Sequence, residues 1–276
     1  MKRIAIQGIV GSYHEVAARD YFKGEEVEIV ACSSFAKMFE AMANDYSLIG
    51  VMAIENTIAG SLLQNHERLR LSDMNIVGEY KLRISHVIAA LPGTKLEELT
   101  EIGSHPIALM QCEEFLSQYP NIKVVEKDDT ATAAREVAEK KLVGSAAICS
   151  RLAAEMFGLE ILQSSIETNK HNFTRFLVLS DSWKRMDYTQ QSTMNKASFV
   201  FSLQHQRGSL SHVLSILSFY GINLTKIQSL PIVGREWEYQ FYVDVTFDDL
   251  IRYAQSIEAV KPLTKDFKVL GEYAAC

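Results

Sequence analysis

The chain has 276 residues, 47% of them hydrophobic and 22% charged, and carries a formal net charge of −6. That composition is ordinary for a globular protein of one large or two modest domains with a sizeable core. The acidic balance, with no basic run interleaved with aromatics, argues against nucleic acid as a partner, which would need clustered Lys and Arg to neutralise phosphates.

"MKRIAIQG" enters a strand at once, without the long apolar stretch of a secretory signal. No uninterrupted apolar run is long enough to cross a bilayer, so no membrane partner is expected. The turn "GIVGS" follows, and "SYHEVAARDYF" has helical spacing with Ser12 as its N-cap. The glycines fit neither G-x-G-x-x-G nor the P-loop pattern, so they read as a tight strand-to-helix turn. Such a turn still leaves free backbone N–H groups and a positive dipole end that can help hold an anion.

Next come "EIVACSS" with "FAKMFEAMAND", and "LIGVMAIEN" with "GSLLQNHERLRL". Further on stand "SHVIAALPG", "EIGSHPIALMQCEEFLSQY", "IKVVEKDDTATAAREVAEKK" and "GSAAICSRLAAEMFG". Strands alternating with helices predict α/β layers around a largely parallel sheet. Ligands of such sheets bind beyond the carboxyl ends of strands, and the polar punctuation falls there: Gly8 to Ser12, Asn56 to Ser61, Ser104 to Gln111, Asp129 to Thr132. "HNFTRFLVLS" sets Thr174 and Arg175 at the entrance of an apolar strand, where a hydroxyl and a guanidinium need polar company.

After this strand "DSWKRMDYTQQSTMNK" is polar and aperiodic, a boundary segment. Beyond it, "ASFVFSLQ", "GSLSHVLSILSFYG", "INLTKIQSLPI", "EWEYQFYVDV", "DDLIRYAQSIEAV" and "FKVLGEY" spell βαββαβ, the ferredoxin-like order. The expected domains are residues 1–182, a linker at 183–196, and a second domain at 197–276. Cys32, Cys112, Cys149 and Cys276 are scattered without a C-x-x-C pair and read as free thiols of a reducing cytosol. The seven histidines show no ligand spacing, so no metal is expected.

The order G-x-x-G-S-Y, "IENTIAG", "SHPIALMQC", "DTATAA" and "NFTRF" resembles the prephenate dehydratase family, in its monofunctional form followed by an ACT domain. The resemblance implies a two-lobed catalytic domain similar to type II periplasmic binding proteins, the chain returning to its first lobe near 172–180, with its site between the lobes and no cofactor. It implies Thr174 and Arg175 as catalytic residues, with Asn56, Ser104, Gln111, Thr130 and Phe176 contacting substrate. Prephenate would be the substrate and phenylalanine an allosteric ligand near Gly208, Leu210, Asn223 and Ser229, in a cytoplasmic homotetramer built from dimers. Arogenate dehydration and a non-catalytic small-anion or amino-acid receptor are the alternatives. Arg175 is expected to grip the side-chain carboxylate of the substrate with two parallel bonds. The sequence departs from the family pattern at Ile107, at Asp129, and at "GSLS" and "QSLP" in the second domain.

Overall fold

The computed structural model describes residues 1–181, 194–204, 206–232 and 234–276. The linker expected at 183–196 lies for the most part outside the described residues. The chain divides into two compact units, Met1–Leu62 with Tyr80–Phe176, and Leu63–Glu79 with Leu177–Cys276.

The first unit has two lobes, whose strands belong to two different sheets. One lobe contains β1 (Lys2–Gln7), α1 (Tyr13–Tyr21), β2 (Val27–Cys32), α2 (Phe35–Asn44), β3 (Ile49–Asn56) and the short β4 (Gly60–Ser61). Strand β1 pairs in parallel with β2 and β3. Six of the eight residues of β3 are buried, the mark of a strand covered on both faces. Helix α2 starts where the Ser34 hydroxyl accepts the amide of Lys37 at 3.2 Å, a standard N-cap. Helix α3 (Leu63–Leu71) and β5 (Met74–Arg83) lead on through the chain.

The other lobe follows: β6 (Val87–Ala90), β7 (Glu101–Ser104), α4 (Pro106–Gln111), α5 (Glu113–Ser117), β8 (Lys123–Glu126), α6 (Thr130–Glu139), β9 (Ser145–Cys149), α7 (Arg151–Met156) and β10 (Glu160–Ser164). Its sheet order is β10-β6-β9-β7-β8. The sheet is mixed: β7 is parallel to β8 and β9, whereas β6 runs antiparallel to β9 and β10. Strand β6 is where the chain enters this sheet, and its direction opposes that of the βα repeats that follow. One face of the sheet packs small side chains, Ala131, Ala134, Ala147, Ala153 and Ala154, which let α6 and α7 lie close. The opposite face is filled by Leu109, Cys112, Phe115 and Ile148. Strand β11 (Phe173–Asp181) then lies beside β3.

The second unit contains β12 (Lys196–Ser202), α8 (Ser209–Phe219), β13 (Asn223–Pro231), β14 (Tyr239–Thr246), α9 (Leu250–Val260) and β15 (Lys265–Tyr273). This is the βαββαβ order read from the sequence, with β13-β14-β12-β15 as spatial neighbours. Alternate residues Ala197, Phe199 and Phe201 of β12 face a core shared with Val213 and Leu217 of α8 and Tyr253 and Ile257 of α9. In the same unit Tyr242 donates to Glu67 of α3 at 2.9 Å, and Lys268 donates to the carbonyls of Arg70 and Ser72 at that helix's C-terminal end. All four cysteines are unpaired. Among the described residues no helix is long and apolar enough to cross a membrane, and no cluster of His, Cys, Asp and Glu is arranged to hold a metal ion.

Candidate active site

A cavity of about 400 Å³ opens within the first unit, lined from one lobe by the β1–α1 turn, the end of β3 and β11, and from the other by the starts of α4 and α6. Asn56 closes β3 with an Asx-type turn: its Oδ1 accepts the amides of Ile58 at 2.9 Å and Ala59 at 2.8 Å. That fixes its Nδ2 toward β11, where it donates to Thr174 Oγ1 at 2.9 Å and to Asn172 Oδ1 at 2.8 Å. The oxygen of Thr174 is thereby used as an acceptor, and the hydroxyl hydrogen remains for the cavity.

The polar chain continues across the lobes. Asn172 Nδ2 donates to Gln111 Oε1 at 2.9 Å, and His86 Nε2 lies 3.0 Å from the same oxygen. On the other side of the ring, His86 Nδ1 lies 2.9 Å from Tyr13 Oη, which also donates to the Ser85 carbonyl at 2.9 Å. Burial lowers the pKa of His86 and pushes the Tyr13 phenol well above its ordinary range, keeping both neutral. His14 packs edge-on against Phe176 at 5.1 Å, and its Nε2 accepts the amide of Ala53 at 3.3 Å. Its proton is therefore on Nδ1. Burial drives its pKa down to about 4, against a weaker upward pull from the Asp129 carboxylate.

Of the residues expected from the sequence, Thr174, Asn56, Gln111, Thr130 and Phe176 all line this cavity. Ser104 does not. It is fully buried and donates to the Ile148 carbonyl at 2.6 Å, tying β7 to β9. Arg175 is likewise absent from the lining. Successive side chains of a strand point to opposite faces, so Thr174 and Phe176 face the cavity and Arg175 turns away. Its guanidinium is 6% exposed and pairs with Glu55 at 3.1 Å, the neighbour of Asn56 on β3. A two-bond grip by Arg175 on a ligand in this cavity is not what the geometry offers.

Asp129 is the N-cap of α6, with both oxygens engaged at 2.7 Å by the amide and hydroxyl of Thr132. Among the described residues no Lys or Arg lines the cavity, so a ligand's negative charge must be met there by amides, hydroxyls, imidazoles and helix starts. His14, Tyr13, His86 and His105 also line it and escaped the sequence reading. Tyr13 and His86 stand 73 positions apart, and only the fold brings them together.

In the second unit a smaller cavity of about 130 Å³ is lined by Leu203, Gln204, Leu210, Trp237, Tyr239 and Phe241 among others. Leu210 follows closely on Gly208, the N-cap of α8. Ser229 pairs across the sheet with Phe241, while Asn223, at the other end of β13, donates to Thr246 and lies outside this cavity.

A two-lobed α/β unit with a hydrogen-bonding cavity, joined in sequence to a ferredoxin-like βαββαβ segment, defines the architectural class. The family model described as prephenate dehydratase matches residues 4–184. Arogenate dehydratase/prephenate dehydratase 6, chloroplastic, of Arabidopsis thaliana is 35% identical over 98% of this chain and 68% of its own length. Among solved structures, GqqA, described as a novel type of quorum-quenching acylase, is 28% identical with a TM-score of 0.87, covering 99% of this chain and 98% of that one. A prephenate dehydratase of Arthrobacter aurescens in complex with L-Phe superposes with a TM-score of 0.88 over 99% of this chain and 89% of that one; its 24% identity speaks to the fold. The chain belongs to the prephenate dehydratase family.

Proposed function

We propose that the first unit converts prephenate into phenylpyruvate, carbon dioxide and water. The observation that carries this reading is Thr174, whose oxygen accepts from Asn56 at the cavity wall, so that its own hydrogen is offered to a ligand. In the reaction the bond between the ring and its carboxylate breaks, its electron pair enters the ring as the aromatic system forms, and the opposite C–O bond releases hydroxide. The enzyme's task is to orient the two breaking bonds and to hydrogen-bond the departing oxygen. Thr174 is too weak an acid to surrender its proton outright, so it donates a hydrogen bond and relays a proton from water. Aligned donors of this kind are worth roughly 10²–10⁴-fold in rate.

That no described residue lining the cavity is a Lys or Arg suits this chemistry. A tight ion pair on the ring carboxylate would stabilise the very charge that must be lost. An amide-cleaving acylase would instead need an activated nucleophile beside a base. The Thr174 hydroxyl meets an amide donor and the Ser12 hydroxyl meets no partner, so neither is activated in that way.

The βαββαβ segment is read as an ACT domain that senses phenylalanine, the aromatic-walled cavity at the start of α8 being the element that supports this. Assembly as a dimer of dimers, a cytoplasmic location and the domain bounds 1–182 and 197–276 belong to the same proposal. Adding prephenate to the purified chain and following the absorbance of phenylpyruvate tests the reading, with arogenate as the parallel substrate. Phenylpyruvate is expected to accumulate; binding without turnover of either compound would make the chain a receptor.

A further inference from the structure

Among the helices that begin at the cavity, α1, α4 and α6 differ in how their first turns are closed. Helix α6 is closed by the Asp129 carboxylate, and the six-residue α4 by the His105 imidazole, which accepts the amide of Ile107. Helix α1 has Ser12 at its N-cap, yet the Ser12 side chain accepts no amide. Its Oγ is buried, with 6% of the residue exposed, and is the one buried side-chain oxygen or nitrogen among the described residues that lacks a partner. A buried hydroxyl without a partner forfeits its hydration, unless a ligand supplies the missing bond.

The surroundings keep this place open to the cavity. Gly8 lines the cavity beside Ser12, and a Cβ at Gly8 would come within 3.6 Å of the Ser12 hydroxyl. The Glu15 carboxylate, the nearest internal anion on α1, is held by the Gly11 amide at 2.6 Å and by Arg19 at 2.7 Å, and does not line the cavity. What remains at the helix start is an orphan hydroxyl, first-turn amides and the positive end of the helix dipole.

We propose that the N-terminus of α1, with Ser12 Oγ, seats a carboxylate of the substrate. The proposal rests on the dehydratase reading and deepens it by naming which carboxylate. The ring carboxylate departs as carbon dioxide, so holding it firmly would oppose the reaction. The side-chain 2-oxo-carboxylate survives into the product and can be held throughout. Helix α1 thus supplies the anchor that the sequence assigned to Arg175.

Ser12→Ala tests this, with Ser12→Gly as a second variant that also suits an N-cap. The KM for prephenate should rise about tenfold with kcat within about threefold of wild type, the pattern of lost uniform binding. Phenylpyruvate retains only the surviving carboxylate, so its inhibition constant should rise by the same factor. The melting temperature of the ligand-free variant should hold or increase, because an unsatisfied buried hydroxyl has gone. Unchanged KM and inhibition constants would overturn the proposal. So would a raised KM with unchanged phenylpyruvate inhibition, which would put the ring carboxylate here, or a loss of folding in both variants, which would make the hydroxyl structural. If the wild-type chain leaves prephenate intact, the dehydratase reading itself falls, and this proposal with it.

Discussion

Thr174 and Arg175 are adjacent in sequence but occupy opposite faces of β11, one at the cavity and one against Glu55. The pair was conspicuous in the sequence because both are polar at the head of an apolar run. The strand period of two was legible there too, and it sets neighbouring side chains such as these on opposite faces. Ser12 was legible as an N-cap, but not as one whose hydroxyl has no amide to accept, because that depends on how the turn is packed. His14 has a consequence for acid stability. Its folded pKa of about 4 lies below its ordinary 6.5, so between those values the unfolded chain binds a proton that the folded chain refuses. Stability therefore rises with pH across this window, and acidification from 6.5 to 4 removes up to about 3 kcal/mol on this account. Denaturant unfolding at pH 7 and pH 4.5 should show a smaller acid loss in His14→Gln than in wild type. Equal losses in the two proteins would mean that His14 titrates normally.

At the scale of elements, β15 approaches β5 in parallel with Gly271 opposite Ile76. A Cβ on Gly271 would fall 2.3 Å from the Ile76 carbonyl oxygen, a contact that no rotamer change can relieve because one partner is backbone. Gly271→Ala should cost about 3 kcal/mol or more in denaturant unfolding, near the upper end for overpacking; a loss below about 0.5 kcal/mol would contradict this packing. The alternation of strands and helices, and the βαββαβ order at the C-terminal end, could be read from periodicity and turn residues because those signals are local. The antiparallel course of β6 against β9 could not, since the pairing joins Val87 to Cys149 and leaves no pattern in either strand. Nor was the company of Leu63–Glu79 visible: "LQNHERLRL" is a polar helix whose partners, Tyr242 and Lys268, come from 175 and 198 residues away.

For the whole molecule, the question is whether the C-terminal segment senses the end product. The altered "GSLS" and "QSLP" stretches lack charged residues that could pin a loop, yet Leu203, Leu210, Tyr239 and Phe241 still wall an apolar recess beside Trp237. Trp237 is 73% exposed, so its emission should shift to the blue when phenylalanine fills that recess. Calorimetry with phenylalanine should show saturable heat and inhibition of turnover at the same concentrations. No heat at millimolar ligand would leave the segment a part in assembly alone.

In the proposed mechanism one neutral hydroxyl, that of Thr174 oriented by Asn56, meets the departing oxygen in a cavity whose described lining has no Lys or Arg. Thr174→Val keeps the shape and removes the donor, whereas Thr174→Ser keeps the donor. The decisive measurement is steady-state turnover of prephenate by these two variants. With Val, kcat should fall by at least about tenfold at nearly unchanged KM, and Ser should restore most of it. Wild-type kcat in Thr174→Val would remove the Thr174 hydroxyl from the reaction.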